Sequence, residues 1–252
     1  CRSTELGEHV ADALRSALPP DAGALTVAPL DLSDLRSVRR FAEGYLRSGK
    51  PLDLLINNAG IMAPPLGFNA QGTEQQMGTN HVGHFLLTTV LQEQLEKSPA
   101  ARVVTVASGL HRFGKPSDVL QTLDGDPKYS QRKYTPYGAY GDSKLANILF
   151  TRALARRLPP NVMAFSLNPG VIATGLRRSL GWKGSLFNTV GALFMKSIPQ
   201  GAATTVFAAT APALVGRSGI YLVNCEEKLP SPPALADALG EQVWALSECL
   251  VA

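Results

Sequence analysis

Apolar residues recur along the chain with two different periods, and their succession predicts helices alternating with strands. Residues 3–18 carry Leu6, Val10, Ala13, Leu14 and Leu18 at helical spacing, closed by Pro19-Pro20, which predicts a first amphipathic helix. Ala24 to Leu30 reads as a short apolar strand, and Ser33 or Asp34 can cap a helix over 35–48. Leu52 to Ile56 reads as a buried strand that runs straight into Asn57-Asn58-Ala59-Gly60. A long helix is expected over roughly 70–97, then a strand from Arg102 to Ala107 with Ser108 at its carboxyl end. The polar stretch 112–135, rich in Pro, Gly and Lys, predicts an insertion loop with one short helix. A further helix begins at Pro136, which suits a first turn and can be capped by Thr135, and it stops before Pro159-Pro160. The remainder reads as a strand at 162–167, the turn Asn168-Pro169-Gly170 and an apolar stripe within 183–198. A helix at 199–211, a strand at 219–223 and a last helix near 233–250 complete the pattern.

Such alternation is the pattern of a parallel sheet covered by helices on both faces. In open sheets of this kind, ligands bind outside the carboxyl ends of the strands. Asp31, Asn57 to Gly60, Ser108 and Pro169-Gly170 all fall at such ends, so they can face one crevice. Tyr140 and Lys144 lie four residues apart on the helix that begins at Pro136, hence on one face of it. A phenol is a poor acid or base at neutral pH, but a nearby ammonium favours its phenolate, and a Tyr so tuned can exchange a proton with a carbonyl oxygen. Tyr129 and Lys133 repeat the spacing inside a polar run bounded by prolines, without an apolar stripe, and read as loop.

At 252 residues and 45% hydrophobic, residues 1–252 suffice for one well-buried α/β domain, and no second domain is required. The net charge of +4 is mild, and the pairs Arg39-Arg40, Arg156-Arg157 and Arg177-Arg178 are scattered, so nucleic-acid binding is not expected. Cys1, Cys225 and Cys249 are too few for a disulfide framework, which favours a reducing, intracellular compartment. No apolar run approaches the roughly 20 residues that span a bilayer, and because the chain opens at Cys1, targeting information could lie upstream. His81 and His84 have no evident third ligand and read as helix packing, so no metal is expected.

Five segments together resemble the short-chain dehydrogenase/reductase family, and within it the retinol-dehydrogenase-like group. They are Asn57-Asn58-Ala59-Gly60, the run from Asn80 to Leu87, Val104 to Ser108, the run from Tyr140 to Asn147, and Asn168 to Val171, in that family's order along essentially the whole chain. The resemblance implies an oxidoreductase with a Rossmann-like, doubly wound parallel sheet. Tyr140 would be the general acid/base and Ser108 would hydrogen-bond the carbonyl oxygen. Lys144 would hold the nicotinamide ribose and depress the Tyr140 pKa, and Asn80 would organise a water chain to Lys144. Asn58, Ala59 and Gly60 would pass beside the adenosine and ribose, and Asp31 with Leu32 would meet the adenine. Gly170 and Ile172, with the Thr174 hydroxyl, would orient the carboxamide. Arg2 stands where a basic residue meets a ribose 2′-phosphate, which favours NADP over NAD.

One departure is large. The first strand, its glycine-rich turn and most of the second strand of the family pattern have no counterpart, so the chain reads as a domain incomplete at its N-terminus, with 24–30 lacking a neighbour and one edge of 52–56 bare. Residues 175–198 are expected to form an apolar lid, with Leu186, Phe187, Val190, Leu193 and Phe194 facing a lipophilic aldehyde, ketone or alcohol. A peripheral membrane contact through that stripe and a homodimer are left open. The rival readings are a light-dependent protochlorophyllide reductase-like enzyme, which shares Tyr-x-Asp-Ser-Lys, and a non-catalytic cofactor-sensing scaffold or inactive remnant.

Overall fold

A computed structural model describes residues 1–19, 21–172 and 196–252. Helices α1 (Thr4–Ala17) and α2 (Leu35–Arg47) begin where the sequence pattern places them. Ser3 caps α1 by accepting from the Leu6 amide, and Asp34, rather than Ser33, caps α2 by accepting from the Arg36 amide. The apolar stripe of α1 is largely uncovered: Leu6, Val10, Leu14 and Leu18 are exposed and Ala11 is buried. Residues 24–30 are not a strand. Their bonds to the rest of the backbone run to Cys1, whose amino group donates to the Ala28 carbonyl at 2.7 Å and whose carbonyl accepts from the Leu30 amide at 3.0 Å. An apolar run becomes a strand only where a second strand offers a ladder, and a single residue does not.

The sheet has the order β1-β2-β3-β4-β5. Its first four members are parallel: β1 (Leu54–Asn57), β2 (Ala101–Val106), β3 (Val162–Asn168) and β4 (Ile220–Val223). The short β5 (Glu226–Glu227) returns antiparallel to β4 through Asn224 and Cys225, both at positive φ, as a two-residue hairpin turn requires. Alternate side chains of β2 and β3 feed opposite cores. Ala101, Val103, Val162 and Ala164 meet Phe85, Phe150 and Trp244, while Val104, Val106, Met163, Phe165 and Leu167 meet Ala208, Leu214 and Leu222. Near-continuous apolar strands therefore signal a sheet buried on both faces. At β1 the cover is thinner, with Leu54 and Ile56 exposed.

Between β1 and β2 the expected long helix starts later and is broken into α3 (Gln75–Met77), a π-helical turn (Gly78–Val82), α4 (Gly83–Val90) and α5 (Gln92–Glu96). Glu74 ends the preceding loop by capping the Met77 amide. A 3₁₀ turn (Gly109–Phe113) and α6 (Pro116–Leu123) lead to α7 (Pro136–Ala155), whose first turn holds Pro136, although the Thr135 side chain makes no capping bond. Gly114 and Gly141 let this helix touch the 109–114 segment, since a Cβ on Gly114 would lie 2.6 Å from the Gly141 carbonyl oxygen. The chain closes with α8 (Ile198–Thr210) and α9 (Asp237–Val251). Among the described residues no helix is long and apolar enough to cross a membrane.

Candidate active site

Three parallel strands deliver their carboxyl ends to one cavity of about 760 Å³. Asn58, Ala59 and Gly60 follow β1, Ser108 follows β2, and Gly170 and Ile172 follow β3; all line it, together with Tyr140 and Lys144 from α7. The Ser108 hydroxyl lies beside the Tyr140 phenol and pulls its pKa down, and it accepts from the Leu110 amide, which fixes it at the head of the 3₁₀ turn. Lys144 is 4% exposed, donates to the Val106 carbonyl at 2.8 Å, and holds its ammonium 5.6 Å from the centre of the Tyr140 ring. The i, i+4 spacing thus brings phenol and ammonium onto one wall, beside a strand-end hydroxyl.

Asn80 lies behind that wall, fully buried in the π-helical turn. Its Oδ1 accepts from the Ile61 amide at 2.9 Å, and its Nδ2 donates to the Ile61 carbonyl and to Ser143 Oγ, each at 3.0 Å. One side chain therefore ties the loop after β1 to the helix that carries Tyr140. Gly60 makes the close approach possible, because a Cβ there would meet Asn80 Oδ1 at 2.9 Å.

A family model described as short chain dehydrogenase matches residues 1–119. Retinol dehydrogenase 14 of Mus musculus is 38% identical over 100% of this chain and 77% of its own length. Retinol dehydrogenase 12 of Homo sapiens is 40% identical over 98% of this chain and 75% of its own. The crystal structure of an uncharacterised protein from Mycobacterium paratuberculosis superposes with a TM-score of 0.75 at 35% identity, covering 99% of this chain and 81% of that one. The chain belongs to the short-chain dehydrogenase family. It is an oxidoreductase of the retinol-dehydrogenase-like group.

Not every position that sequence reasoning picked out in this dehydrogenase reaches the cavity. Arg2 is exposed at the head of α1 and is not among the lining residues. Asp31 turns back on its own loop, accepting from the Ser33 amide and hydroxyl, and Leu32 is buried in the core against α4. Thr174 and the lid positions Leu186, Phe187, Val190, Leu193 and Phe194 lie outside the described residues. Conversely, Tyr137, Leu110 and Met62 line the cavity without having been singled out. Tyr137 was accessible to reasoning, since it precedes Tyr140 by three residues and so shares its helical face.

Burial governs the electrostatics. It pushes the Tyr140 phenol above its ordinary value, against the pull of the Ser108 hydroxyl, and lowers the Lys144 ammonium to about 8. The shift of Tyr140 is upward, opposite to the depression expected from Lys144. On the same helix, Asp142 is buried with the Lys115 amide donating to it, and loss of solvent raises its carboxyl to about 7. His81 and His84 are buried and hydrogen-bonded: His81 Nε2 meets Ser247 Oγ at 2.8 Å, and His84 Nδ1 meets the Asn80 carbonyl at 3.0 Å. Both are lowered to about 4, chiefly by burial. Tyr129 sits in a loop, but that loop is packed: Arg132 stacks over the ring at 3.9 Å and Tyr134 meets it edge-on.

Proposed function

We propose that this dehydrogenase uses NADP(H) to interconvert a lipophilic alcohol with its aldehyde or ketone. The observation that carries the reading is that the Tyr140 phenol and the Ser108 hydroxyl line the wall of a cavity that also holds the buried Lys144 ammonium. Members of the family bind a nicotinamide dinucleotide, and a cavity of about 760 Å³ at the carboxyl ends of three parallel strands, lined by Gly60, Ser108, Lys144 and Gly170, fits the nicotinamide half of such a group. Asn58, Ala59 and Gly60 would pass beside the adenosine and ribose, and Lys144, Gly170, Ile172 and Thr174 would hold the nicotinamide half; Asp31 and Leu32 would meet the adenine, and Arg2 the 2′-phosphate. When bound, the nicotinamide supplies or accepts the hydride.

The remaining chemistry belongs to the protein. Tyr140 gives its phenolic proton to the carbonyl oxygen in reduction and takes it back from the hydroxyl in oxidation. Ser108 donates a hydrogen bond to the same oxygen, stabilising the charge that develops there. Lys144 offsets the cost of the buried phenolate that Tyr140 becomes. Asn80 keeps the loop and α7 in register while this happens. The lipophilic substrate class is supported by the likeness to retinol dehydrogenases and by an apolar cavity wall that includes Met62, Leu110 and Val171.

The test is NADPH oxidation followed by absorbance with medium-chain and terpenoid aldehydes. Tyr140→Phe should abolish turnover while NADPH still binds in a fluorescence titration; rates equal to the unmodified protein would refute the mechanism.

A further inference from the structure

His111 lies one turn beyond Ser108 and is 1% exposed. Its Nδ1 is 2.6 Å from the Ser108 carbonyl oxygen, which also accepts from the His111 amide at 3.2 Å. Its Nε2 is 3.0 Å from the backbone nitrogen of Ser231. Both partners are main-chain groups with fixed roles: a carbonyl only accepts and an amide only donates. The ring is therefore neutral, with its proton on Nδ1 and the Nε2 lone pair facing Ser231. Tyr221 packs edge-on against it at 5.3 Å, closing the pocket from β4. The adjacent Arg112 reaches the Leu229 carbonyl, so two neighbouring residues fasten the end of β2 to the segment before α9.

We infer that His111 is a positioning residue: as a neutral Nδ1–H imidazole it clamps the main chain of Ser108 to Ser231 and so sets the Ser108 hydroxyl against Tyr140. The inference rests on the role proposed above for Ser108. The clamp spans 120 residues of sequence, between the 3₁₀ turn after β2 and the one at Pro232–Leu235. Without it, Ser108 keeps only the local bonds of its own turn, and the hydroxyl is free to shift relative to the phenol. Burial and the charge of Arg112 both hold the imidazole below its ordinary pKa, in keeping with the neutral form.

Asn and Gln each replace one half of the clamp. The Asn amide nitrogen stands near Nδ1 and can still donate to Ser108, whereas the Gln amide oxygen stands near Nε2 and can still accept from Ser231. The experiment compares His111→Ala, His111→Asn and His111→Gln for kcat and KM, beside ¹⁵N-histidine NMR of the unmodified protein. The spectrum should show a neutral Nδ1–H ring at position 111. His111→Ala should lower kcat by about tenfold or more, as expected for a group displaced by a fraction of an ångström, with both KM values nearly unchanged. His111→Asn should recover most of that loss and His111→Gln little. An Nε2–H tautomer, an undiminished kcat in His111→Ala, or equal rescue by Asn and Gln would each overturn the inference. Should His111→Ala not fold, the order of Asn over Gln and the tautomer still decide it. Absence of any turnover in the unmodified protein would instead defeat the proposed reaction, while the NMR spectrum separately tests the clamp.

Discussion

Gly60→Ala adds one methyl group to a backbone that is not in the left-handed region, so its effect is set by space alone. That methyl would sit 2.9 Å from Asn80 Oδ1 and 3.8 Å from Lys144 Nζ. The second contact is ordinary and leaves the lysine alone; the first is too short to persist. Asn80 cannot swing aside freely, because its amide is held at both ends by Ile61 and Ser143. Either the loop after β1 moves outward or one of those bonds breaks, and overpacking of this kind costs about 1–3 kcal/mol. For a chain of this size that lowers Tm by about 2–4 °C per kcal/mol, and turnover should fall with it. Thermal unfolding of Gly60→Ala, Asn80→Ala and the double variant closes the cycle. With Asn80 shortened the new methyl has room, so Gly60→Ala should cost almost nothing in that background. Additivity of the two changes within about 0.5 kcal/mol would show that the residues are not coupled and would refute the packing argument.

Other outcomes follow from the same geometry. The Asp142 carboxyl is raised in the folded protein, so between about pH 4, where the unfolded chain releases its proton, and about pH 7 the folded state holds a proton that the unfolded state does not. Stability should therefore decline as pH rises through that window, and Asp142→Asn should raise Tm at pH 8 but not at pH 4, by calorimetry. Tyr129→Phe keeps the ring under Arg132 and should leave kcat within about twofold, since that tyrosine lies in a packed loop outside the cavity lining. Arg2→Glu should raise KM for NADPH by about tenfold or more while leaving NADH almost unaffected, the sign expected of a lost phosphate contact; equal effects on both cofactors would remove Arg2 from the site.

Asn58, Gly60, Ser108 and Gly170 were legible because each follows an apolar run at a polar or glycine residue, and such ends converge in a parallel sheet. Tyr140 and Lys144 were legible from spacing on a helix with firm stops. Residues 24–30 misled because strand propensity is local whereas the ladder is not. The π-helical turn escaped because one additional residue hardly disturbs hydrophobic periodicity over some twenty positions. Tyr129 lies in a loop, as its surroundings predict, but its burial was not legible there, because it comes from the Arg132 side chain stacked on the ring. His111 left no trace in the pattern, since its partners are main-chain atoms that no composition records.

That turn at Gly78–Val82 also fixes how long this stretch of chain must be. Its closing bond runs from the Gly83 amide to the Gly78 carbonyl, one residue wider than an ordinary helix allows. Excising any one of the five residues would restore regular winding, but it would turn Gln76 and Met77 by about 100° relative to Phe85 and Leu86. Gln76, which now accepts from the Ala63 amide and donates to the Pro136 carbonyl, would lose both loop and helix at once. No side-chain rotation can make good a one-residue shortening here.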